Sequence, residues 1–333
     1  MTRDALITRF LDQAGWGMAA RRPLAGDASN RRYERLSRES QRAVLMDAPY
    51  DPPPPPAPPY IATAPGPFLK LSAALAQAGY GAPKVLAADE AAGLILLEDL
   101  GDAIYARVLE GAPELEHTLY AAAVDLLADL HATPDLVAAP PYDLETMMIE
   151  LRLLLDWYLP LQGAPASAAA RADFEALCAE LFAPVDRRDV LVLRDFHAEN
   201  LLWLPDREGH ARVGLLDYQD ALIGHRAYDL VSLLEDARRD TTPALQEDML
   251  ARYIAATGQD DAQFRADYAR LGAQRNIKIL GIFARLSERD GKPHYLALLP
   301  RVWAHVQHDL SHPVLAPLKD WFGRYVPAPK DRA

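Results

Sequence analysis

The stretch Leu191 to Asp217 does most to limit the fold, because it is the one segment with strand character inside a long helical region. Before it, Leu119 to Leu130, Met147 to Leu159 and Ala168 to Leu181 repeat their apolar residues at helical spacing, and the pattern resumes from Asp229 to about Val306. Leu193 to Leu204 and Val213 to Asp217 are joined by the polar turn formers Pro205 to Arg212, which reads as a β-hairpin. Pairing Leu204 with Val213 and counting back sets Asn200 opposite Asp217. Two oxygen ligands would then leave the hairpin at one end, where they can share an ion. Magnesium suits them, since it takes one or two carboxylate or amide oxygens and completes its shell with phosphate oxygens and water. Asp195 lies in the loop before the hairpin, where a carboxylate can orient the proton of an attacking hydroxyl. Phosphoryl transfer asks for little more covalent chemistry than that. Arg194, beside it, holds loop or carboxylate geometry.

The first hundred residues read differently. Leu6, Ile7, Phe10, Leu11 and Ala14 form one helical face. Leu24 to Leu36 is a tight loop entering a strand, Ser37 to Gln41 a turn, and Ala43 to Met46 a second strand. The proline-rich run from Asp51 to Pro59 is a stiff, exposed spacer. A helix follows over Pro67 to Ala78, then short strands at Val85 to Ala88 and Leu94 to Leu97. Glu98 to Asp102 is a polar turn. The expected class is α+β: a small mixed N-terminal lobe with an antiparallel sheet, residues 1–100, and a larger, mostly helical C-terminal lobe, residues 101–333.

The 333 residues exceed one ordinary compact core, in keeping with two lobes. A net charge of -12 with no Lys/Arg block argues against a nucleic-acid partner. The single Cys178 rules out an intramolecular disulfide and reads as a small buried hydrophobe. No apolar run reaches membrane-spanning length, and Met1 to Leu6 does not look like a signal peptide. The expectation is a cytoplasmic monomer with a small-molecule substrate and no membrane partner.

Arg194-Asp195, with Asn200 five positions after the aspartate, resembles the catalytic loop of protein-kinase-like enzymes, and Asp217 resembles their second metal aspartate. Protein-kinase activation-segment features are absent. The two-lobed layout with a helical tail is more similar to the aminoglycoside phosphotransferase family, over nearly the whole chain. Gly26-Asp27-Ala28-Ser29 with Arg32-Tyr33, Val44 to Pro49, Leu96 to Asp102, Asp217 to Ala221 and Tyr228 to Leu234 resemble blocks of the anomeric amino-sugar kinases of bacterial cell-wall recycling, which act on N-acetylmuramate and N-acetylglucosamine. The resemblance implies a protein-kinase-like fold, ATP and Mg2+ as cofactors, Asp195 as catalytic carboxylate with Arg194 beside it, and Asn200 and Asp217 as metal ligands. It also implies that Gly26, Asp27, Ala28, Ser29 and Asn30 cover the ATP phosphates and that the backbone from Glu98 to Leu100 bonds adenine.

Two positions depart from the family. Leu193 stands where a scaffold histidine is expected, and Met46 where a phosphate-binding lysine is expected. Pairing Leu36 with Arg42 puts Arg32 opposite Met46, so Arg32 is expected to supply that charge; a one-residue slip would hand the role to Arg31. Tyr218 and Gln219 are expected substrate contacts. Glu150 is either a contact to sugar hydroxyls or an exposed helical glutamate. His197 is either a substrate contact or a packing residue. Arg275, with Asn276 and Lys278, either meets an acidic sugar substituent or lies on a solvated face. Asp229 is read as a helix cap or an anchor for the catalytic loop.

Overall fold

In the computed structural model, residues 2–24, 31–49, 65–133 and 135–330 are described. The Gly26 to Asn30 loop and the proline-rich run therefore lie outside the described residues. The chain divides into two compact units, residues 1–126 with 199–220, and residues 127–198 with 221–333. Residues 101–126 and the segment after Ala198 thus group with the N-terminal residues, unlike the expected division at residue 100.

The strands are β1 (Ala20–Leu24), β2 (Arg32–Arg38), β3 (Gln41–Asp47), β4 (Val85–Asp89), β5 (Leu94–Glu98), β6 (Val190–Val192), β7 (Leu201–Trp203), β8 (Val213–Leu215) and β9 (Leu222–Gly224). The helices are α1 (Arg3–Gln13), α2 (Pro65–Gln77), α3 (Tyr105–Gly111), α4 (Glu116–Leu130), α5 (Leu144–Leu153), α6 (Leu159–Leu161), α7 (Ala168–Phe182), α8 (Ala227–Leu234), α9 (Pro243–Thr257), α10 (Asp261–Glu288), α11 (Leu299–Asp309) and α12 (Ala316–Tyr325).

In the first unit, five antiparallel strands run in the order β1-β2-β3-β5-β4. β5 is inside the sheet, and Leu94 to Leu97 are all buried. β1 is an edge, the place in a sheet where a proline such as Pro23 is tolerated. Leu36, Ala43, Leu45, Leu94 and Leu96 share one face, which packs with Ile7, Phe10 and Leu11 of α1. Arg3 of the same helix is tied to Asp47 at the end of β3. Thr2 caps α1 by accepting from the Ala5 amide at 3.3 Å.

The second unit is organised on α10, which is buried for most of its length and touches α5, α8 and α11. A helix buried nearly all round must either be apolar throughout or satisfy its polar groups internally. α10 takes the second course, in that Gln274, Arg275, Asn276 and Lys278 each donate to a buried partner. Its neighbour α5 runs into a π turn over Leu154–Tyr158, where the Leu159 amide donates to the Leu154 carbonyl, before α6 continues. α10 passes this junction so closely that a Cβ at Gly281 would overlap the backbone of Leu153.

Candidate active site

The expected site residues occur in both units. In the second, β6 pairs with β9, Val190 facing Gly224 and Val192 facing Leu222, and then releases the chain into the loop from Leu193 to Ala198. The loop is not left to its own propensities. Asp229, fully buried on α8, accepts the Leu193 amide on one carboxylate oxygen at 2.6 Å and the Arg194 amide on the other at 2.8 Å. Burial pushes the Asp229 carboxyl up to about 7, against the two amides, which pull it down. Of its two sequence readings, the anchor is the one these bonds describe. Arg194 has φ +72°, in the left-handed region that costs a residue with a Cβ roughly 1–3 kcal/mol. The paired amide bonds hold it there. Asp195 follows, half-buried, its amide bonded to the Leu193 carbonyl at 2.9 Å.

Glu150 on α5 is 1% exposed. Its Oε1 accepts from Arg194 Nη2 at 2.5 Å and lies 3.6 Å from Lys278 Nζ. Its Oε2 accepts from Tyr142 Oη at 2.5 Å and Gln274 Nε2 at 3.0 Å. Burial alone would raise its pKa, but Lys278, Arg194 and the bonds from Tyr142 and Gln274 outweigh it and bring the carboxyl down to about 2. Lys278 also donates to Tyr228 Oη at 2.6 Å. Breaking a buried pair of this kind by removing one partner costs about 3–5 kcal/mol. Glu150 is therefore not an exposed helical glutamate.

Arg275, Asn276 and Lys278 are 4%, 0% and 7% exposed, which removes the solvated-face reading for all three. Arg275 donates to Ser232 Oγ at 2.8 Å, and Asn276 bridges Glu235 at 2.5 Å and Asp309 at 2.9 Å. His197 is buried, its Nε2 lies 3.4 Å from Arg238 Nη1, and burial followed by the nearby arginines keeps its pKa low. Tyr142 and Gln274 were not expected as members of this cluster. Gln274 beside three other polar residues in an otherwise apolar helix was the available signal.

In the first unit, β7 and β8 form the expected hairpin, shifted by one residue. Trp203 faces Val213 and Leu201 faces Leu215, while Leu204 bonds back to Arg212. Asn200 consequently faces Leu216, whose amide donates to the Asn200 carbonyl at 2.9 Å, and not Asp217 as the count had it. Asp217 is the next residue and turns out of the strand at φ +56°. The two side chains still leave the same end of the hairpin. A Cβ at Gly81 would overlap the Val213 carbonyl, so only glycine lets the preceding chain lie against β8, where the Leu215 amide bonds to the Gly81 carbonyl at 3.1 Å. Asp217 Oδ1 accepts from Gln219 Nε2 at 2.8 Å and lies 3.6 Å from Arg31 Nη1. Tyr218 is buried, bonded to Ser72 Oγ at 2.8 Å and stacked on Phe68 with ring centroids 5.5 Å apart.

The β2–β3 hairpin is also one residue out of the expected register. Leu36 faces Ala43, Tyr33 faces Met46, and Arg32 faces Asp47. Directly opposed residues share a face, so Arg32 lies on the α1 side of the sheet, away from Met46, and is exposed there. Arg31 has the same parity as Tyr33 and is the arginine beside Asp217. Met46 is buried in the sheet. The Glu98 amide is used by the Lys84 carbonyl at 2.8 Å and its carboxylate by Arg207 at 2.7 Å. Leu100 is half-buried, its Cδ1 close over Gly214 of β8.

Among the described residues, no three His, Cys, Asp or Glu side chains gather as a metal cage. Asn200 and Asp217 offer two hard oxygen donors at one hairpin end, a set that fits magnesium completed by phosphate and water oxygens.

The model of the phosphotransferase enzyme family matches residues 20–272, and the chain belongs to that family; it is a phosphotransferase. It is 42% identical to an N-acetylmuramate/N-acetylglucosamine kinase of Caulobacter vibrioides, over 98% of this chain and 97% of the relative. A protein of the same name in Pseudomonas aeruginosa is 32% identical over 95% of this chain and 92% of its own. The fold is similar to that of a choline/ethanolamine kinase family protein from Mesorhizobium loti, with a TM-score of 0.62 at 15% identity, covering 96% and 99% of the two chains. The α+β, protein-kinase-like architecture expected from the sequence is thus the one observed. No helix among the described residues is long and apolar enough to cross a membrane.

Proposed function

We propose that this chain is an ATP- and Mg2+-dependent kinase of the anomeric hydroxyl of N-acetylmuramate, N-acetylglucosamine or both, serving peptidoglycan recycling as a cytoplasmic monomer. The observation that carries the substrate is the 42% identity, across almost the full length of both chains, to a relative with that printed name. Asp195 accepts or orients the sugar hydroxyl proton, and Arg194 beside it fixes the loop. Asn200 and Asp217 would hold Mg2+, which supplies charge neutralisation for the phosphates. Arg31, on the Met46 face of the sheet and 3.6 Å from Asp217, supplies the cation that Met46 cannot. Arg32 contributes at most to the rim. The backbone around Glu98 and Leu100 receives adenine through groups other than the Glu98 amide. Gly26 to Asn30 cover the phosphates. His197, Tyr218, Gln219 and Arg275 act in substrate binding chiefly by shaping its surroundings, since each is at least nine-tenths buried.

The test is direct. The protein is incubated with ATP, Mg2+ and each sugar, and sugar-1-phosphate is measured. Product with neither sugar, alongside turnover of an aminoglycoside or an amino alcohol, would replace this reading with a kinase for another hydroxyl compound. ATP turnover unchanged by Asp195→Ala would exclude both kinase readings and favour a nucleotide-binding regulator.

A further inference from the structure

Arg35 stands in the middle of β2, yet its guanidinium ends on the turn that follows β5. Successive strand residues point to opposite faces, and Leu36 packs towards α1, so Arg35 lies on the other face, with Val44 and Met46. The sheet order places β3 between β2 and β5, so the side chain spans two strand spacings, about 9–10 Å. At the far end its donors meet one short stretch of chain. Nε pairs with Asp99 Oδ2 at 2.8 Å, and Nη2 donates to Asp99 Oδ1 at 3.1 Å. Nη1 donates to Asp102 Oδ2 at 2.8 Å, and Nη2 also reaches Asp102 Oδ1 at 2.9 Å and the Gly101 carbonyl at 3.2 Å. Only a planar fork of donors can serve two carboxylates and a carbonyl together; an ammonium cannot.

The stretch is a turn, with Gly101 at φ +87° and its amide on Asp99 Oδ1 at 2.9 Å. On the near side, the Glu98 carboxylate accepts from Arg207 at 2.7 Å and from the Lys84 amide at 3.2 Å. Beyond the turn, the Ile104 amide donates to the Asp102 carbonyl at 2.8 Å. None of these bonds uses the amide or the carbonyl of Leu100. The chain is thus fastened on both sides of Leu100, and on the far side the turn is tied to the sheet by one guanidinium. The Asp99 side chain is only 3% exposed. Without the cation it would have to turn towards water and carry the turn with it.

We propose that Arg35 is a positioning residue for the nucleotide base: by holding Asp99, Gly101 and Asp102 it fixes the backbone at Leu100 in the geometry that meets the edge of adenine. This rests on the reading that the backbone from Glu98 to Leu100 bonds adenine. That edge offers a 6-amino donor and an N1 acceptor, which a carbonyl and an amide can match together only when both are held in place.

The test is nucleotide binding, which needs no sugar. Calorimetry gives the Kd of ADP and of purine riboside diphosphate, which lacks the 6-amino group, for wild type, R35M and D102N with Mg2+ present. Circular dichroism and a melting curve establish that each variant is folded. Wild type is expected to prefer ADP roughly 5- to 10-fold, the worth of one hydrogen bond. R35M should bind both ligands more weakly and ADP most, so that the preference falls to about twofold or less. A variant that only lost stability would bind both more weakly by the same factor and keep its preference. An R35M preference equal to that of wild type overturns the proposal and leaves the adenine reading standing. A wild type that binds both ligands equally, or neither, refutes the adenine reading and the proposal with it. Where R35M does not fold, D102N is scored on the same ratio. Its side chain is 61% exposed and the buried Asp99 pair is untouched, so it should fold and lose about half the preference. An unchanged ratio in D102N then overturns the proposal.

Discussion

Asp229→Asn should change how stability depends on pH, and the change can be worked from its surroundings. The carboxyl is fully buried and its folded-state pKa is raised from 3.8 to about 7, burial being the largest cause. A carboxyl that holds its proton more tightly when folded favours the folded state most below pH 3.8. That contribution is lost as pH climbs towards 7, at up to about 1.4 kcal/mol per pH unit. Over the whole interval the loss approaches roughly 4 kcal/mol. Asparagine does not titrate, so D229N is free of this slope. It carries a different, pH-independent cost. Its single oxygen can accept only one of the Leu193 and Arg194 amides, and leaving a buried donor unpaired costs about 1–3 kcal/mol. Urea unfolding of both proteins at pH 5, 6, 7 and 8 should therefore show wild type more stable at pH 5 and its advantage shrinking or reversing by pH 8. Parallel stability curves would refute the reasoning, because they would mean that Asp229 ionises in the fold as it does in water.

Asp195→Asn and Asp217→Asn should each lower kcat about 10²-fold or more, the first by removing the proton acceptor and the second by weakening Mg2+, so that only D217N is partly recovered at high Mg2+ in a sugar-1-phosphate assay. Arg31→Ala should raise the KM for ATP roughly tenfold, the worth of a charge-assisted bond, while Arg32→Ala should change it less than about twofold; equal effects would reject the assignment of the phosphate cation to Arg31. Gly281→Ala should destabilise the second unit by about 1–3 kcal/mol through overpacking against Leu153, read as a lowered melting temperature, and a neutral result would show that α10 can back away.

The residues proposed for the chemistry could be picked out because their spacing is covalent: Asp195, Asn200 and Asp217 match the motif of the resembling family whatever the sheet does. Both strand registers were misjudged by one, for a local reason in each case. The β2–β3 loop has only Glu39 and Ser40 between the paired Arg38 and Gln41, with Glu39 at φ +53°. Such a turn is usually announced by Asn-Gly or Asp-Gly, and Glu-Ser gives no such notice. In the β7–β8 loop, Leu204 bonds back to Arg212, the last residue of a short 3-10 turn over Gly209–Arg212, so the strand ends at Trp203, one residue before the count carried it. The error moved Arg32 to the far face of the sheet and left Arg31 as the candidate. The cluster around Glu150 was not legible, because its members come from four separate stretches of chain, and whether a helical glutamate is buried depends on what packs over it. The helical organisation of the second unit, by contrast, followed from periodicity alone, except for the π turn.

That turn has a bearing on where this helix can change its length. A π turn holds one residue more than the α turn it replaces, so Leu154–Tyr158 is where a single codon can be gained or lost while α5, and with it Glu150, stays in place. A residue lost from α5 itself, outside that turn, would instead rotate everything beyond by about 100°, one residue's share of a helical turn. Tyr158, whose hydroxyl donates to the Pro327 carbonyl at 2.9 Å, would then swing off the C-terminal tail. Relatives one residue shorter within α5 itself should therefore fasten their C-terminal segment by some other bond.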